Sequence, residues 1–315
     1  MPRILLTGAS GFVGPTVAQR LTAAGHEVIA AGRRAPPPGT AIARYVPVPT
    51  QDAATDWRPA LSGIDVVVHL AGHAHASSRS PAARRLIQAV NVEGTEKLAR
   101  DAAAMGVRRF IFLSSIKVHG EDSGTQPFRP SDPLRPQDPY GESKAMAEAR
   151  LRAIGSASGL EVAIIRPPLI IGARSKANLA RLEQLVRSGL PLPFASIRNT
   201  RSLLSLDNLA DLIAICVAHP RATEAPLLAA DAAAPSTPEL IRWIASALHR
   251  PARLFRCPPR VLETLARPLG LGSLMLRLTR SLAVDASTTT LLTGWVPARS
   301  TLDTLRTAFR DSPTA

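Results

Sequence analysis

Arg3-Ile4-Leu5-Leu6-Thr7-Gly8-Ala9-Ser10-Gly11-Phe12-Val13-Gly14 is an apolar run that breaks directly into three evenly spaced glycines. Arg3 to Leu6 reads as a buried strand. A helix is predicted from about Phe12 to Ala24, ending at Gly25, with a second strand over Glu27 to Ala31. Strand, glycine turn, helix and strand within about 30 residues is the setting in which a dinucleotide diphosphate rests on a helix N-terminus. The spacing is Gly-x-x-Gly-x-x-Gly. Gly8 permits the tight turn, Gly11 a close approach by the diphosphate, and Gly14 close helix packing. Gly8, Ser10, Gly11, Phe12, Val13 and Gly14 are therefore candidate cofactor contacts. The pattern predicts an α/β fold, a Rossmann-type doubly wound parallel sheet.

Further along, the second predicted strand runs into Gly32-Arg33-Arg34. A site selective for NAD normally carries an acid there for the ribose 2′-hydroxyl. Its absence, with Arg33 able to pair with a 2′-phosphate, tilts the expected cofactor from NAD towards NADP. Ile64 to Gly72 reads as another buried strand. It ends in Leu70-Ala71-Gly72, where small residues let a cofactor cross the sheet. His73 and His75 follow; without a third ligand they are loop residues at the substrate mouth, and no metal site is expected. One long helix is predicted from about Ala82 to Met105, with the amide of Asn91 placed to bond backbone beside the site.

Arg109 to Leu113 is a strand ending at Ser114-Ser115, and a Pro-, Asp- and Arg-rich loop spans Glu121 to Asp138. Tyr140 and Lys144 then stand four residues apart on one face of a helix predicted to run to about Ile154. A hydroxyl, a phenol beside an ammonium and a dinucleotide are the parts of a hydride-transfer site. Glu161 to Ile165 is the next strand, and Arg166-Pro167 leaves the sheet at the expected nicotinamide end. The first 172 residues are thus expected to bind NAD(P). Residues 173–315 are expected to form a smaller C-terminal α/β substrate lobe, interleaved with the first part rather than folding alone. In that lobe Leu203 to Leu206 is a short strand, Asp207 an acidic helix cap and Arg201 a candidate diphosphate clamp.

The bulk numbers set limits. Across 315 residues hydrophobic content is 45% and mean hydropathy +0.07, an ordinary globular composition. No apolar run approaches the length of a membrane span. Ile4-Leu5-Leu6 is too short for a signal-peptide core, so a cytoplasmic protein is expected. The net charge of +14 invites a nucleic-acid reading. Only Lys97, Lys117, Lys144 and Lys176 are lysines, and the arginines are spread along the chain, which speaks for compositional bias rather than a nucleic-acid partner. Arg260 to Leu282, apolar with interleaved arginines, reads as core or dimer helices with peripheral membrane contact as the alternative. Cys216 lies in an apolar helix as a buried free thiol.

Thr7-Gly8-x-x-Gly11-Phe12-x-Gly14, His69-Leu70-Ala71-Gly72, Asn91-Val92-x-Gly94-Thr95, Ser114-Ser115, Tyr140-x-x-x-Lys144 and Arg166-Pro167 occur in one order. Together they resemble the extended short-chain dehydrogenase/reductase family, in its nucleotide-sugar epimerase/dehydratase branch, over essentially the whole chain. The run Ser114 to Gly120 and Arg201-Ser202-Leu203 are similar to a bacterial subgroup described as UDP-sugar 4-epimerases. The chain departs from the family at His119, where many members carry Tyr, and in lacking the acid after the second strand. The resemblance implies Ser115, Tyr140 and Lys144 as catalytic residues. It places Leu70, Ala71, Gly72, Asn91, Ser114, Tyr140, Lys144 and Pro167 with the glycine turn around the cofactor. His73, Lys117, Asn178 and Arg201 fall to the substrate, a UDP-hexose. Lys144, together with the positive nicotinamide ring, is expected to acidify Tyr140, which exchanges a proton with the sugar O4. A 4-epimerase for surface polysaccharide synthesis is the leading expectation. An NADPH-dependent 4-keto-6-deoxy-sugar reductase is the alternative, and a non-catalytic dinucleotide-sensing regulator a remote one. A homodimer through helices near 82–105 and 140–154 is also implied.

Overall fold

The computed structural model describes residues 1–73, 80–173, 178–268 and 270–310. Among them the strands are β1 (Arg3–Thr7), β2 (Glu27–Gly32), β3 (Arg44–Pro47), β4 (Val66–His69), β5 (Arg109–Leu113), β6 (Glu161–Arg166), β7 (Leu169–Ile171), β8 (Leu203–Ser205) and β9 (Leu227–Leu228). The helices are α1 (Gly14–Ala23), α2 (Arg58–Leu61), α3 (Pro81–Ile87), α4 (Thr95–Ala104), α5 (Pro139–Ser158), α6 (Asn178–Arg187), α7 (Leu206–Ala218), α8 (Thr237–Ala247), α9 (Pro259–Ala266), α10 (Gly272–Thr279), α11 (Ser287–Thr293) and α12 (Thr301–Arg310). Seven strands make one parallel sheet in the order β3-β2-β1-β4-β5-β6-β9.

The central strands read as unbroken apolar runs because both faces are covered. Ile4, Leu6, Val28, Ala30, Val66, Val68 and Ile111 belong to a core shared with α1 and α7. Leu5, Ile29, Val67, Phe110 and Phe112 belong to the opposite core, shared with α4 and α5. The winding reverses between β1 and β4, which pair from Ile4↔Val66 to Thr7↔His69. In open sheets of this kind ligands bind at that switch point, beyond the carboxyl ends of the strands. The glycine turn leaves β1 there.

Three expectations need correction. The single helix predicted over 82–105 is instead α3, a π-helical segment Gln88–Gly94, and α4. Such an insertion shifts the register of a helix and is common at functional sites. Here it brings Asn91 into the interior, 1% exposed. The cap of α7 is Ser205 rather than Asp207, and the Ser205 hydroxyl bonds Asp231 and Thr304 instead of the helix backbone. Finally, α5 continues past Ile154 to Ser158, where Gly159 in a left-handed conformation ends it.

Beyond residue 172, β7 pairs with β8 outside the main sheet, while α7 and β9 return to it. A separate core of Leu179, Leu182, Leu240, Ile241, Ile244 and Leu305 fills the C-terminal part. Cys216 is buried in α7, and burial pushes its thiol up to about 12.

Candidate active site

The glycine turn has the shape a dinucleotide cradle requires. Gly8 has φ +76°, and a Cβ there would stand 2.8 Å from the Ala71 backbone nitrogen. No other residue fits between the ends of β1 and β4. A Cβ on Gly14 would meet the Gly8 carbonyl oxygen at 2.4 Å, so α1 can start hard against the turn only from glycine. No side chain caps α1 and its first turn holds no acid. Its leading N–H groups and the positive end of its dipole are left for an anion. Ser10 and Gly11 are exposed at the turn, with Phe12 and Val13 half-buried beside them. Leu70 is half-buried, Ala71 buried and Gly72 exposed across the gap. Arg33 lies exposed just past the end of β2. These residues fit a dinucleotide.

One strand further along the sheet, β5 delivers Ser114 and Ser115 to the N-terminal end of α5. Ser115 caps the turn Ile116–Val118 by accepting from the Lys117 N–H at 3.3 Å, and it also hydrogen-bonds the Tyr140 phenol. Lys144, one turn after Tyr140 and 3% exposed, donates to the Leu113 carbonyl at 2.8 Å. Its ammonium lies 4.4 Å from the Phe112 ring centroid and 6.0 Å from that of Tyr140. A Cβ added to Gly72 would come within 3.3 Å of it, so the ends of β4 and β5 and the helix α5 meet at this ammonium.

The acidification of Tyr140 expected from Lys144 and the nicotinamide ring together is not supplied by the protein's own residues. Burial, with the negative charge of Asp138 nearby, pushes the phenol up to about 12, against the Ser115 hydrogen bond that pulls it down. Lys144 donates a hydrogen bond to the Leu113 carbonyl, and burial holds its ammonium down to about 8, with Glu148 opposing. Between that value and the ordinary 10.5 the folded protein binds fewer protons than the unfolded chain. Lys144 therefore penalises folding below pH 8, and the penalty fades as pH rises to 10.5. Lys144→Met is expected to raise stability at pH 7 by up to about 3 kcal/mol. In thermal melts the gain should shrink by pH 10; a variant melting below wild type at pH 7 would show that the Leu113 bond outweighs burial.

Further contacts hold the site together, and Asp138, central to them, carried no assignment in the sequence. The Asp138 side chain caps α5 by accepting from Gly141 N–H at 2.7 Å and pairs with Lys117. Lys117 pairs with Glu121 as well, so it pins the start of the Tyr140 helix. Asn91 accepts from His73 N–H at 2.7 Å and donates to the Ser143 hydroxyl at 3.0 Å, bracing the post-β4 loop against α5 as the sequence suggested. His69, one position from the Leu70-Ala71-Gly72 run, is buried between Thr7 and Thr95 at 2.7 and 3.0 Å. Burial and the Lys144 charge press it down to about 3, so it stays neutral.

Beneath the site lies an ionic cluster. Glu148 accepts from the Ser114 hydroxyl at 2.6 Å and from Arg166 at 2.9 and 2.5 Å, and Arg166 also meets His119 at 2.9 Å. Pro167 is buried, and its carbonyl accepts from Ile116 N–H at 2.9 Å. Glu148 stands four residues after Lys144, an acid on the buried face of α5; that placement was the available signal.

The residues assigned to substrate are less concentrated. Arg201 bridges to Leu282, and burial depresses its pKa among the charges of Glu121, Arg277 and Asp122. His73 is half-buried at the end of the described loop. Asn178 begins α6; its side chain, like His75, lies outside the described residues.

A doubly wound parallel sheet, a glycine cradle at its switch point and a Ser, Tyr and Lys grouped one strand away define a dinucleotide-dependent enzyme of the short-chain dehydrogenase type. The chain belongs to the NAD-dependent epimerase/dehydratase family, whose model matches residues 4–227. It is 39% identical to a UDP-glucose 4-epimerase of Vibrio cholerae over 320 residues, covering 100% of this chain and 96% of that protein. An Escherichia coli O157:H7 epimerase of N-acetylglucosaminyl-diphospho-undecaprenol is 31% identical over 67% of this chain and 61% of its own. The fold superimposes on the NAD complex of Thermus thermophilus UDP-glucose 4-epimerase with TM-score 0.75 at 21% identity, covering 99% of this chain and 100% of that one.

Proposed function

We propose that this protein is a cytoplasmic NAD-dependent UDP-sugar 4-epimerase, with Ser115, Tyr140 and Lys144 as its catalytic residues. The observation that carries this reading is the meeting of Ser115, Tyr140 and Lys144 beside the glycine cradle, in a chain alike from end to end to a UDP-glucose 4-epimerase. The bound dinucleotide supplies a hydride acceptor and donor for C4, and the charge of its oxidised ring adds to that of Lys144 in favouring the phenolate. Tyr140 takes the O4 proton as C4 is oxidised and returns it when the opposite face is reduced. Ser115 holds O4 in line by hydrogen bonding. Lys117 fixes the helix that carries Tyr140. Arg201, from the lobe formed by residues 173–315, takes the diphosphate, and His73 and Asn178 border the sugar. Leu86 on α3, Met105 just past α4 and Met146 on α5 are each more than 40% exposed and support a homodimer through those helices.

The test is to denature the purified protein, identify the dinucleotide released, and follow UDP-glucose and UDP-N-acetylglucosamine by NMR. Near-stoichiometric NAD and inversion at C4 are expected. An empty protein that prefers NADPH, exchanging it at each turnover, would instead support the 4-ketoreductase through Arg33. A protein that binds no dinucleotide defeats both.

A further inference from the structure

We propose that the α9–α10 hairpin is a docking surface for an anionic lipid bilayer. The hairpin has two unlike sides. Leu262 and Ala266 of α9 are buried against the C-terminal core, where Met275 and Leu278 of α10 also pack. Facing away are Val261 and Leu265, four residues apart on α9, with Leu271 at the N-cap of α10, Leu276 within it, and Phe255 from the segment before α9. Leu265 is 63% exposed and Phe255 49%. Hydrogen bonds from Gly270 N–H to the Arg267 carbonyl and from Leu271 N–H to the Ala266 carbonyl tie the two helices together, which sets Leu265 and Leu271 on either side of the connection. Isolated exposed leucines need no explanation; a run of five large apolar side chains over 22 positions does.

Charge chooses the occupant. Between residues 250 and 280 the chain has seven arginines and a single acid, Glu263. Glu263 is already engaged by the Thr279 hydroxyl at 2.7 Å. Arg277 and Arg280 pair with Glu121 and Asp122, and Arg250 and Arg253 donate to backbone carbonyls. Arg256, Arg260 and Arg267 are exposed, and their guanidinium groups make no hydrogen bond or ion pair among the described residues. Three uncommitted guanidinium groups interleaved with Phe, Val and Leu match a surface that is negative at its face and apolar just beneath. A second copy of this chain would bring the same arginines against one another. A nucleic acid would use the arginines and leave the leucines idle. The ion pairs of Arg277 and Arg280 with the loop carrying Glu121 place this surface beside the substrate mouth.

The inference is independent of the proposed reaction. Full-length protein is mixed with vesicles of phosphatidylcholine, alone or with about 30% phosphatidylglycerol, and bound protein is measured by flotation. Binding to the anionic vesicles only is expected, weakening as salt is raised and the surface charge is screened. The triple variant R256Q/R260Q/R267Q should bind about a hundredfold more weakly, near fivefold for each cation. The double variant Leu265→Glu/Leu271→Glu should lose binding too, and both should melt with the wild type because the changed side chains are exposed. Absence of binding to anionic vesicles overturns the proposal, as does binding that neither variant alters. Retention on duplex DNA that equals vesicle binding and ignores the leucine changes makes this a general polyanion surface and overturns it. So does a wild-type oligomer that the leucine variant dissolves without any vesicle binding.

Discussion

Tyr140→Phe is expected to lower turnover by about a hundred- to ten-thousandfold while the dinucleotide stays bound. That range is what a positioned general acid/base contributes. The phenol hydroxyl is all the substitution removes. The ring keeps its place one turn from Lys144, and the cradle at Gly8 and the start of α1 lie on other elements. Loss should therefore fall on kcat more than on cofactor content, measured as the dinucleotide released on denaturation. The pH profile sharpens the test. Burial and Asp138 push the phenol up to about 12 in the protein alone, and the charge of the oxidised dinucleotide opposes them, so the phenolate fraction that serves sugar oxidation grows with pH. Wild-type rates should rise on the alkaline side, and the residual rate of the Phe variant should not. A variant within a few-fold of wild type would remove Tyr140 from the chemistry and leave the fold reading untouched.

Glu148→Ala is expected to destabilise the protein by about 3–5 kcal/mol, because it leaves the Arg166 guanidinium charged and buried without its counter-ion. Both side chains are nearly fully buried, at 1% and 2% exposure, and two of the lost bonds come from Arg166 itself. The contacts remaining to Arg166 are to His119 at 2.9 Å and the Pro130 carbonyl at 3.4 Å, neither of them a negative charge. At the usual unfolding entropy per residue the penalty corresponds to a fall of roughly 5–8 °C in Tm. Glu148→Gln keeps hydrogen-bond acceptors for Ser114 and should fall between the two. The change also reaches the site, since Ser114 is freed one residue from Ser115 and the charge that favours the Lys144 ammonium is gone. An Ala variant that melts within a degree of wild type would show that the cluster does not hold the ends of β5, β6 and α5 together.

The sequence by itself determined the sheet and the cradle, and it set Tyr140 and Lys144 on one face of a helix. Those signals are local. A buried parallel strand is an apolar run, a turn needing φ above zero at close quarters is a glycine, and a helix brings Tyr140 and Lys144 together through a four-residue repeat whatever surrounds them. Only the tertiary structure decided what distant groups do to one another. The sequence put Lys144 beside Tyr140; the fold turns the ammonium to Leu113 and sets the half-buried phenol near Asp138, so the protein's own residues push the phenol up and the lowering is left to the cofactor's charge. It offered Lys117 to the substrate, and the fold adds pairings with Asp138, 21 residues away in sequence, and with Glu121. Asn91 was legible as a brace, but the π-helical register that buries it depends on contacts with His73 and Ser143 made across the fold. Burial and charge–charge energies are set by distances through space, and no local pattern of residues encodes them.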